Sequence, residues 1–276
     1  MDYTIRLLKA ILIGLLQGIT EWLPISSTGH MILLGEVIEP LASPEFYSFF
    51  LVAIQLGSAL AVAAAYFSHL NPWGREKTHT ERKATLRLLA CIALGCIPVA
   101  IIGFFADDLI FRYCYRTEVV AAMLLFYGVA FVWIERRKSG RDNRICSASE
   151  IGAKKALAIG AFQILSLIPG TSRSGATILG ARLIGIDRAA AAEFSFFLSL
   201  PVMLGASLLE GMRFVSRGGT WMLSEILLLL VGGCVAFLTS LCVIRFLLQY
   251  VKKHSFAVFG WYRITLGLLL LLISCT

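Results

Sequence analysis

Charged residues are scarce in this chain of 276: Asp, Glu, Lys and Arg make up 15% of it, against about 25% in an ordinary globular domain. Their place is taken by apolar residues in long runs, not in alternation with polar ones. Ile226 to Val243 carries no charge at all, and roughly 18 or more such residues can span the hydrocarbon core as a helix. This shortage excludes a soluble domain. The seven cysteines (Cys91, Cys96, Cys114, Cys146, Cys234, Cys242 and Cys275) include no CxxC pair and no neighbouring histidine. They are expected to be small buried hydrophobes. A cleavable signal pattern is missing too: no small-residue cleavage site precedes the polar stretch Glu21 to His30. The net charge of +8 does not point to nucleic acid, because the basic residues sit mostly in short loops between apolar runs.

The fold class expected is all-α and polytopic, a single membrane domain. Full-length spans are predicted at Phe46–Phe67, Leu86–Phe105, Glu118–Ile134, Ala189–Leu209, Met222–Leu247 and Phe256–Ser274. Two further apolar segments, Ile5–Trp22 and Ala156–Ile168, read as too short or too interrupted to span alone. The first runs into a polar stretch from Leu23 to His30 and then Met31–Leu34. The second runs into Pro169 to Gly175 and then Ala176–Leu183.

Side by side, the two segments match. GLLQGITEWLPISSTGHMILLG from Gly14 and GAFQILSLIPGTSRSGATILG from Gly160 share Gly-x-x-Gln, a proline, a Ser/Thr/Gly-rich turn and a short apolar continuation. Counting from the prolines pairs Ser27 with Ser172, each three residues on. Paired interrupted segments in two halves, here about 1–135 and 150–276, are a pointer to a midplane site. Loop charge then sets the topology. If both segments are re-entrant hairpins, one face collects Arg75, Lys77, Arg82, Lys83, Arg87, Arg136, Arg137, Lys138, Arg141, Arg144, Lys154, Lys155, Arg182, Arg188, Lys252 and Lys253. The other has only Arg6, Lys9, Arg112, Arg116, Arg213 and Arg217. The first face is expected to be cytoplasmic. About six transmembrane helices plus two re-entrant hairpins then form inverted repeats whose tips meet in the membrane.

Non-helical backbone is tolerated at that depth only where protein buries it or water reaches it. Pro24 and Pro169 are expected to end their helices. The Ser/Thr/Gly turns after them free backbone N–H groups at the start of a short helix, an anion site. Arg173, at the second tip, is costly in a membrane and suits phosphate oxygens, or else pairs structurally with Glu21 or Glu193. Glu21 and His30 flank the first tip with Ser26, Ser27 and Thr28 between them, offering a carboxylate and an imidazole as base or nucleophile. Gln17 lies one turn before Glu21 on the same helical face and can donate to phosphate or hold a metal-bound water. Asp107, Asp108 and Glu135 read as solvated span ends, and Glu193 either lines the cavity or stabilises a helix start. Trp73, Trp133, Trp221 and Trp261 read as interfacial aromatics. Arg263 is either a phosphate ligand or a snorkelling anchor.

The stretches QGITEWLPISSTGHM and PGTSRSGAT, with IQLGSALAV from Ile54 and AAAEFSFFLSLPVMLGAS from Ala190, closely resemble the undecaprenyl-diphosphate phosphatase family, also called the bacitracin-resistance family. The resemblance covers essentially the whole chain. It implies hydrolysis of undecaprenyl diphosphate to the monophosphate and inorganic phosphate, recycling the lipid carrier of cell-wall synthesis. It also implies a divalent metal, Mg²⁺ or Ca²⁺, and a bacterial cytoplasmic-membrane location with the site opening to the periplasm. Its motifs fall on Gln17 and Glu21, on Pro24 to His30 and on Pro169 to Ser174. On these positions Glu21, Ser27, His30 and Arg173 are expected in catalysis, with Glu21 at the metal and with Ser27 or His30 attacking the terminal phosphorus or His30 activating water, while Gln17, Ser26, Thr28, Ser172 and Ser174 are expected at the substrate. Gln at 17 counts against any mechanism needing two carboxylates there, and Leu51 stands where many relatives carry an acid. The partners expected are the lipid diphosphate and membrane lipids, not nucleic acid; a homodimer is left open. The rival expectation is a prenyl-phosphate transporter or flippase, since inverted repeats with broken helices are also transporter features.

Overall fold

The computed structural model describes residues 2–137 and 145–274, with backbone only at 107, 108 and 111. Lys138, Arg141, Arg144 and Cys275, and the side chains of Asp107 and Asp108, therefore lie outside the described residues. Among the described residues eleven α-helices succeed one another: α1 (Tyr3–Thr20), α2 (Ser27–Val37), α3 (Pro44–Ala65), α4 (Phe67–Leu70), α5 (His79–Cys114), α6 (Thr117–Arg137), α7 (Ala153–Ile164), α8 (Arg173–Leu183), α9 (Arg188–Ser216), α10 (Leu223–Lys253) and α11 (Ala257–Ser274). Among the described residues there is no strand; Ile145 and Ile186 form an isolated bridge. The chain is an all-α polytopic membrane protein, with seven helices long and apolar enough to cross a bilayer.

Six of those seven are the expected spans, and α5, α6, α9 and α10 run further than the apolar sequence does. α5 covers 36 residues because a capping box starts it in the loop: Thr78 caps the Glu81 amide and the Glu81 carboxylate takes the Thr78 amide. The seventh is α1. Its 18 residues are continuous and apolar enough to cross alone, contrary to expectation, because the polar stretch begins after the helix and does not interrupt it. α7, at 12 residues, is too short.

The two halves interlock. α1 packs on α10 while α7 packs on α5, so each broken-helix segment leans on a span of the opposite half; α6 and α11 form a close pair, and α3 joins α9 and α10. Glycine makes these approaches possible. A Cβ on Gly160 would collide with the Gly95 carbonyl of α5, and one on Gly128 would meet Gly260 O of α11 at 2.8 Å. Small residues at helix crossings are how membrane helices gain van der Waals contact, since lipid gives apolar faces no other reason to associate.

Several outcomes differ from expectation. Glu135 is buried, not solvated: it accepts Arg182 Nε at 3.0 Å and Arg188 Nε at 2.7 Å, tying α6 to α8 and α9. Arg182, counted with the loop charges, is 1% exposed. A carboxylate at the end of a span survives burial here because two guanidinium groups surround it. Of the described cysteines only Cys91 is buried; Cys234 and Cys242 face outward from α10, where lipid solvates a thiol as well as a core does. Trp73, Trp133, Trp221 and Trp261 are exposed, as interfacial aromatics would be, and Leu51 packs against an apolar cluster of α1, α3 and α10.

Gly160→Val is expected to destabilise the protein by roughly 1–3 kcal/mol through overpacking against α5. Gly35→Ala, which meets nothing within 4 Å, is expected to be neutral or slightly stabilising. Thermal unfolding in detergent checks both.

Candidate active site

α1 ends at Thr20, where Glu21 N–H still bonds back to Gln17 O. Residues 21–25 form a turn, and α2 restarts at Ser27. α7 tightens into a 3₁₀ turn at Leu165–Leu167, and Ile168 is then extended (φ −78°, ψ 120°), as a residue before proline must be. Pro169 thus stops its segment directly, whereas α1 has already ended four residues before Pro24.

Both restarts use one device. Ser26 (φ +72°) and Ser172 (φ +70°) are the non-glycine residues with positive φ among the described residues, a conformation costing about 1–2 kcal/mol each. Each caps its helix: Ser26 Oγ accepts Gly29 N–H at 3.3 Å and Ser172 Oγ accepts Gly175 N–H at 3.2 Å. This corrects the repeat register. Ser26, not Ser27, is the counterpart of Ser172, and a constant offset of 146 residues also relates Gln17 to Gln163 and Gly29 to Gly175. The prolines misled because they stand one position out of register. On the corrected alignment Ser27 matches Arg173 and Thr28 matches Ser174. In each helix the first two amides (Ser27 and Thr28; Arg173 and Ser174) have no intrahelical acceptor.

The two tips touch. Ser174 Oγ donates to the carbonyls of Glu21 (3.2 Å) and Leu23 (3.3 Å) across the interface and lies 3.1 Å from Ser172 Oγ. Arg263 of α11 sits beneath them, fully buried. Its Nη1 donates to Pro24 O at 3.2 Å, and its Nη2 to Gly170 O at 2.7 Å and Thr171 O at 2.9 Å. The Tyr127 ring lies 5.3 Å from its guanidinium carbon. It is thus neither phosphate ligand nor snorkelling anchor, because it is fully buried and both terminal nitrogens are turned to backbone carbonyls that no helix satisfies.

Above this frame lies the charged centre. Glu21 Oε2 accepts from Gln17 Nε2 at 2.8 Å and from Ser27 Oγ at 3.0 Å. Glu21 Oε1 faces Arg173 Nη2 at 3.4 Å. Arg173 also donates from Nη1 to Ser195 O of α9 at 2.6 Å and lies 5.5 Å from the Trp22 ring. Its Nε and the Thr171 hydroxyl are buried and make no hydrogen bond. Arg173 therefore does pair with Glu21, while Glu193 turns to the Ala148 amide, His69 and Lys252.

Burial sorts the expected residues. Gln17, Glu21, Ser26 and Ser174 are buried, whereas Ser27, Thr28, His30, Ser172 and Arg173 keep partial exposure. Ser26 and Ser174, expected at the substrate, bond to backbone instead and belong to the frame, because a buried hydroxyl beside orphan amides and carbonyls is held there. His30 is not drawn to Glu21 or Ser27. Its Nδ1 is 2.7 Å from Ser26 O and its Nε2 is 2.7 Å from the Tyr262 hydroxyl. Tyr262 carried no signal beyond lying next to Arg263 in the last span.

Two apposed helix N-termini with a guanidinium between them define a multi-pass membrane protein built to hold an anion inside its bundle. The chain belongs to the family described as Bacitracin resistance protein BacA, whose model matches residues 10–269. A relative named undecaprenyl-diphosphatase in Enterococcus faecalis (strain ATCC 700802 / V583) is 49% identical over 266 residues, 96% of each chain. One of the same name in Streptococcus thermophilus (strain ATCC BAA-250 / LMG 18311) is 47% identical over 270 residues, 98% of this chain and 94% of its own. Another, in Streptococcus mutans serotype c, is 49% identical over 267 residues, 96% and 95% of the two chains.

Arg263→Ala leaves three buried carbonyls unpaired. At about 1.5–3 kcal/mol per hydrogen bond to a charged group, the expected result is a marked fall in the unfolding temperature in detergent. Arg263→Lys, which keeps the charge but not the fork, is expected to lie between Ala and wild type.

Proposed function

We propose that this protein hydrolyses undecaprenyl diphosphate to undecaprenyl phosphate and orthophosphate, with Ser27 as the nucleophile. The observation that carries this is the Ser27 hydroxyl, 3.0 Å from Glu21 Oε2, at a partly exposed helix N-terminus opposite the Arg173 guanidinium. A serine needs a neighbouring acceptor to become a nucleophile, and Glu21 is that acceptor. Gln17 orients the carboxylate and cannot itself take a proton. The full length covered by relatives named undecaprenyl-diphosphatase supports the substrate.

In the reaction, Ser27 Oγ attacks the terminal phosphorus and its proton passes to Glu21. The bond from that phosphorus to the bridging oxygen breaks, and undecaprenyl phosphate leaves with the bonding pair. Water then attacks the phosphoserine, releasing orthophosphate and restoring the hydroxyl. Arg173, the Ser172 hydroxyl and the free amides of Ser27, Thr28, Arg173 and Ser174 hold the non-bridging oxygens as charge shifts among them. His30 is not the nucleophile in this scheme: a carbonyl only accepts, so Nδ1 carries the proton toward Ser26 O and the lone pair at Nε2 is met by Tyr262.

Glu21 is the one carboxylate at the centre, and no cluster of three or more His, Cys, Asp or Glu suited to a metal exists among the described residues. That donor set does not make a metal cage, but Glu21 and the Gln17 side-chain oxygen would hold Mg²⁺ or Ca²⁺ together with the diphosphate. When bound, the ion neutralises phosphate charge. We place the protein in the bacterial cytoplasmic membrane, its halves inverted and the site facing the periplasm, where it recycles the carrier lipid and gives bacitracin resistance.

Purified protein in detergent is expected to release orthophosphate from undecaprenyl diphosphate. Ser27→Ala and Arg173→Ala should each lose at least about 10³-fold in kcat/KM; Ser27→Ala should unfold at or near the wild-type temperature, whereas Arg173→Ala, which leaves the buried Glu21 carboxylate without its cation, should unfold at a lower one. Turnover within tenfold of wild type in Ser27→Ala would remove Ser27 as nucleophile. Chelation with EDTA should stop release, and added Mg²⁺ or Ca²⁺ should restore it. Titration of either ion without the lipid diphosphate should show only weak binding.

A further inference from the structure

The imidazole of His30 is held at both ends. Nδ1 lies 2.7 Å from the Ser26 carbonyl and Nε2 lies 2.7 Å from the Tyr262 hydroxyl. The two ring planes are within 6° of parallel, with centroids 5.6 Å apart. Chemistry decides the tautomer. A carbonyl oxygen can only accept, so Nδ1 bears the hydrogen. In the neutral ring Nε2 is then an acceptor, and the Tyr262 O–H is the donor that meets it. Each contact fixes what the other leaves free. A half-turn of the ring would swap nitrogen for carbon at both ends and lose both hydrogen bonds.

The residue at the other end of this arrangement is Ser26, which holds its strained positive φ and presents the Ser27 hydroxyl and the Ser27 and Thr28 amides to the site. We infer that Tyr262 is a positioning residue for the reaction, acting through His30: it locks the imidazole so that Nδ1–H pins the Ser26 carbonyl and keeps the first turn of α2 aimed at the phosphate. The inference rests on the proposed phosphatase chemistry. α11 contributes to both tips through consecutive residues, Arg263 on the backbone carbonyls from below and Tyr262 on His30 at the rim. Tyr262 is 45% exposed, so it is not part of the buried core.

Tyr262→Phe keeps the ring and removes the hydroxyl. Turnover of undecaprenyl diphosphate should fall about tenfold in kcat, as the first turn of α2 is no longer held in its reactive position, with KM within about twofold and an unchanged unfolding temperature. The second readout does not depend on turnover. In protein labelled with ¹⁵N at its four histidines, the His30 signals are those missing from His30→Gln. At a pH where the ring is neutral, wild type should show a protonated Nδ1 and an unprotonated, hydrogen-bonded Nε2, and Tyr262→Phe should displace the Nε2 resonance. A protonated Nε2 in wild type, an unmoved Nε2 resonance in Tyr262→Phe, or an unchanged kcat in that variant would each overturn the assignment. Full turnover in Ser27→Ala with the nitrogen signals as expected would instead remove Ser27 as nucleophile, and no orthophosphate release by wild type would defeat the phosphatase reading; either result would leave the His30–Tyr262 contact standing.

Discussion

Breaking a helix inside a membrane bundle releases backbone carbonyls into surroundings without water, and each must be satisfied by something brought there for the purpose. In this protein one guanidinium does much of that work. Arg263 takes Pro24 O from the first break and Gly170 O and Thr171 O from the second, so a single side chain makes the two turns one object. The fork geometry of arginine matters: three acceptors arrive from two chain segments, and a point charge on a flexible stem would not fix them equally. The whole site depends on that junction. Ser174 can bridge to Glu21 O and Leu23 O, and Arg173 can face Glu21, only because the tips are already held in register.

The repeat supplies a backbone device twice and chemistry once. At the 146-residue offset, Ser26 and Ser172 perform the same cap with the same unusual φ. The side chains then diverge: Glu21 matches Leu167, and Ser27 matches Arg173. One half contributes the carboxylate and the hydroxyl, the other the cation that faces them. Gln17 and Gln163 show what divergence costs. Gln17 commits its amide to Glu21, whereas Gln163, with leucine in place of that partner, is fully buried and neither polar atom of its side chain is bonded among the described residues.

The spans and the paired interruptions were legible because length and apolarity are composition-level signals, and bilayer thickness leaves them little freedom. The convergence of the tips was legible from the repeat itself. What escaped was everything decided by side-chain direction. Glu135 looks like any acid at a span end until Arg182 and Arg188 are seen around it. Arg263 looks like a snorkelling residue because one chain position does not reveal which carbonyls lie beneath it. The proline count misplaced the repeat by one because a cap is set by φ and by the amide three residues on, neither of which the proline dictates in α1. His30 was placed beside Glu21 by proximity in sequence, but as the fourth residue of α2 it lies on the side that faces α11.

The same junction separates the two activities that broken, repeated helices can serve. A transporter of this kind opens its site to each side in turn by rocking one repeat against the other around the bound ligand. Here such a motion would have to part Pro24 from Gly170 and Thr171, stripping Arg263 of acceptors from at least one side. It would also pull Ser174 from the Glu21 and Leu23 carbonyls. Hydrogen bonds to a buried charge are among the stronger ones, and leaving such donors unpaired carries their full desolvation cost. A ligand's differential affinity would have to supply that energy in every cycle. A hydrolase asks nothing of the kind, because its gain comes from donors that are already in place and do not reorganise as charge develops. Two tips joined by Arg263 and Ser174, with the Arg173 guanidinium facing Glu21 beside them, meet that requirement.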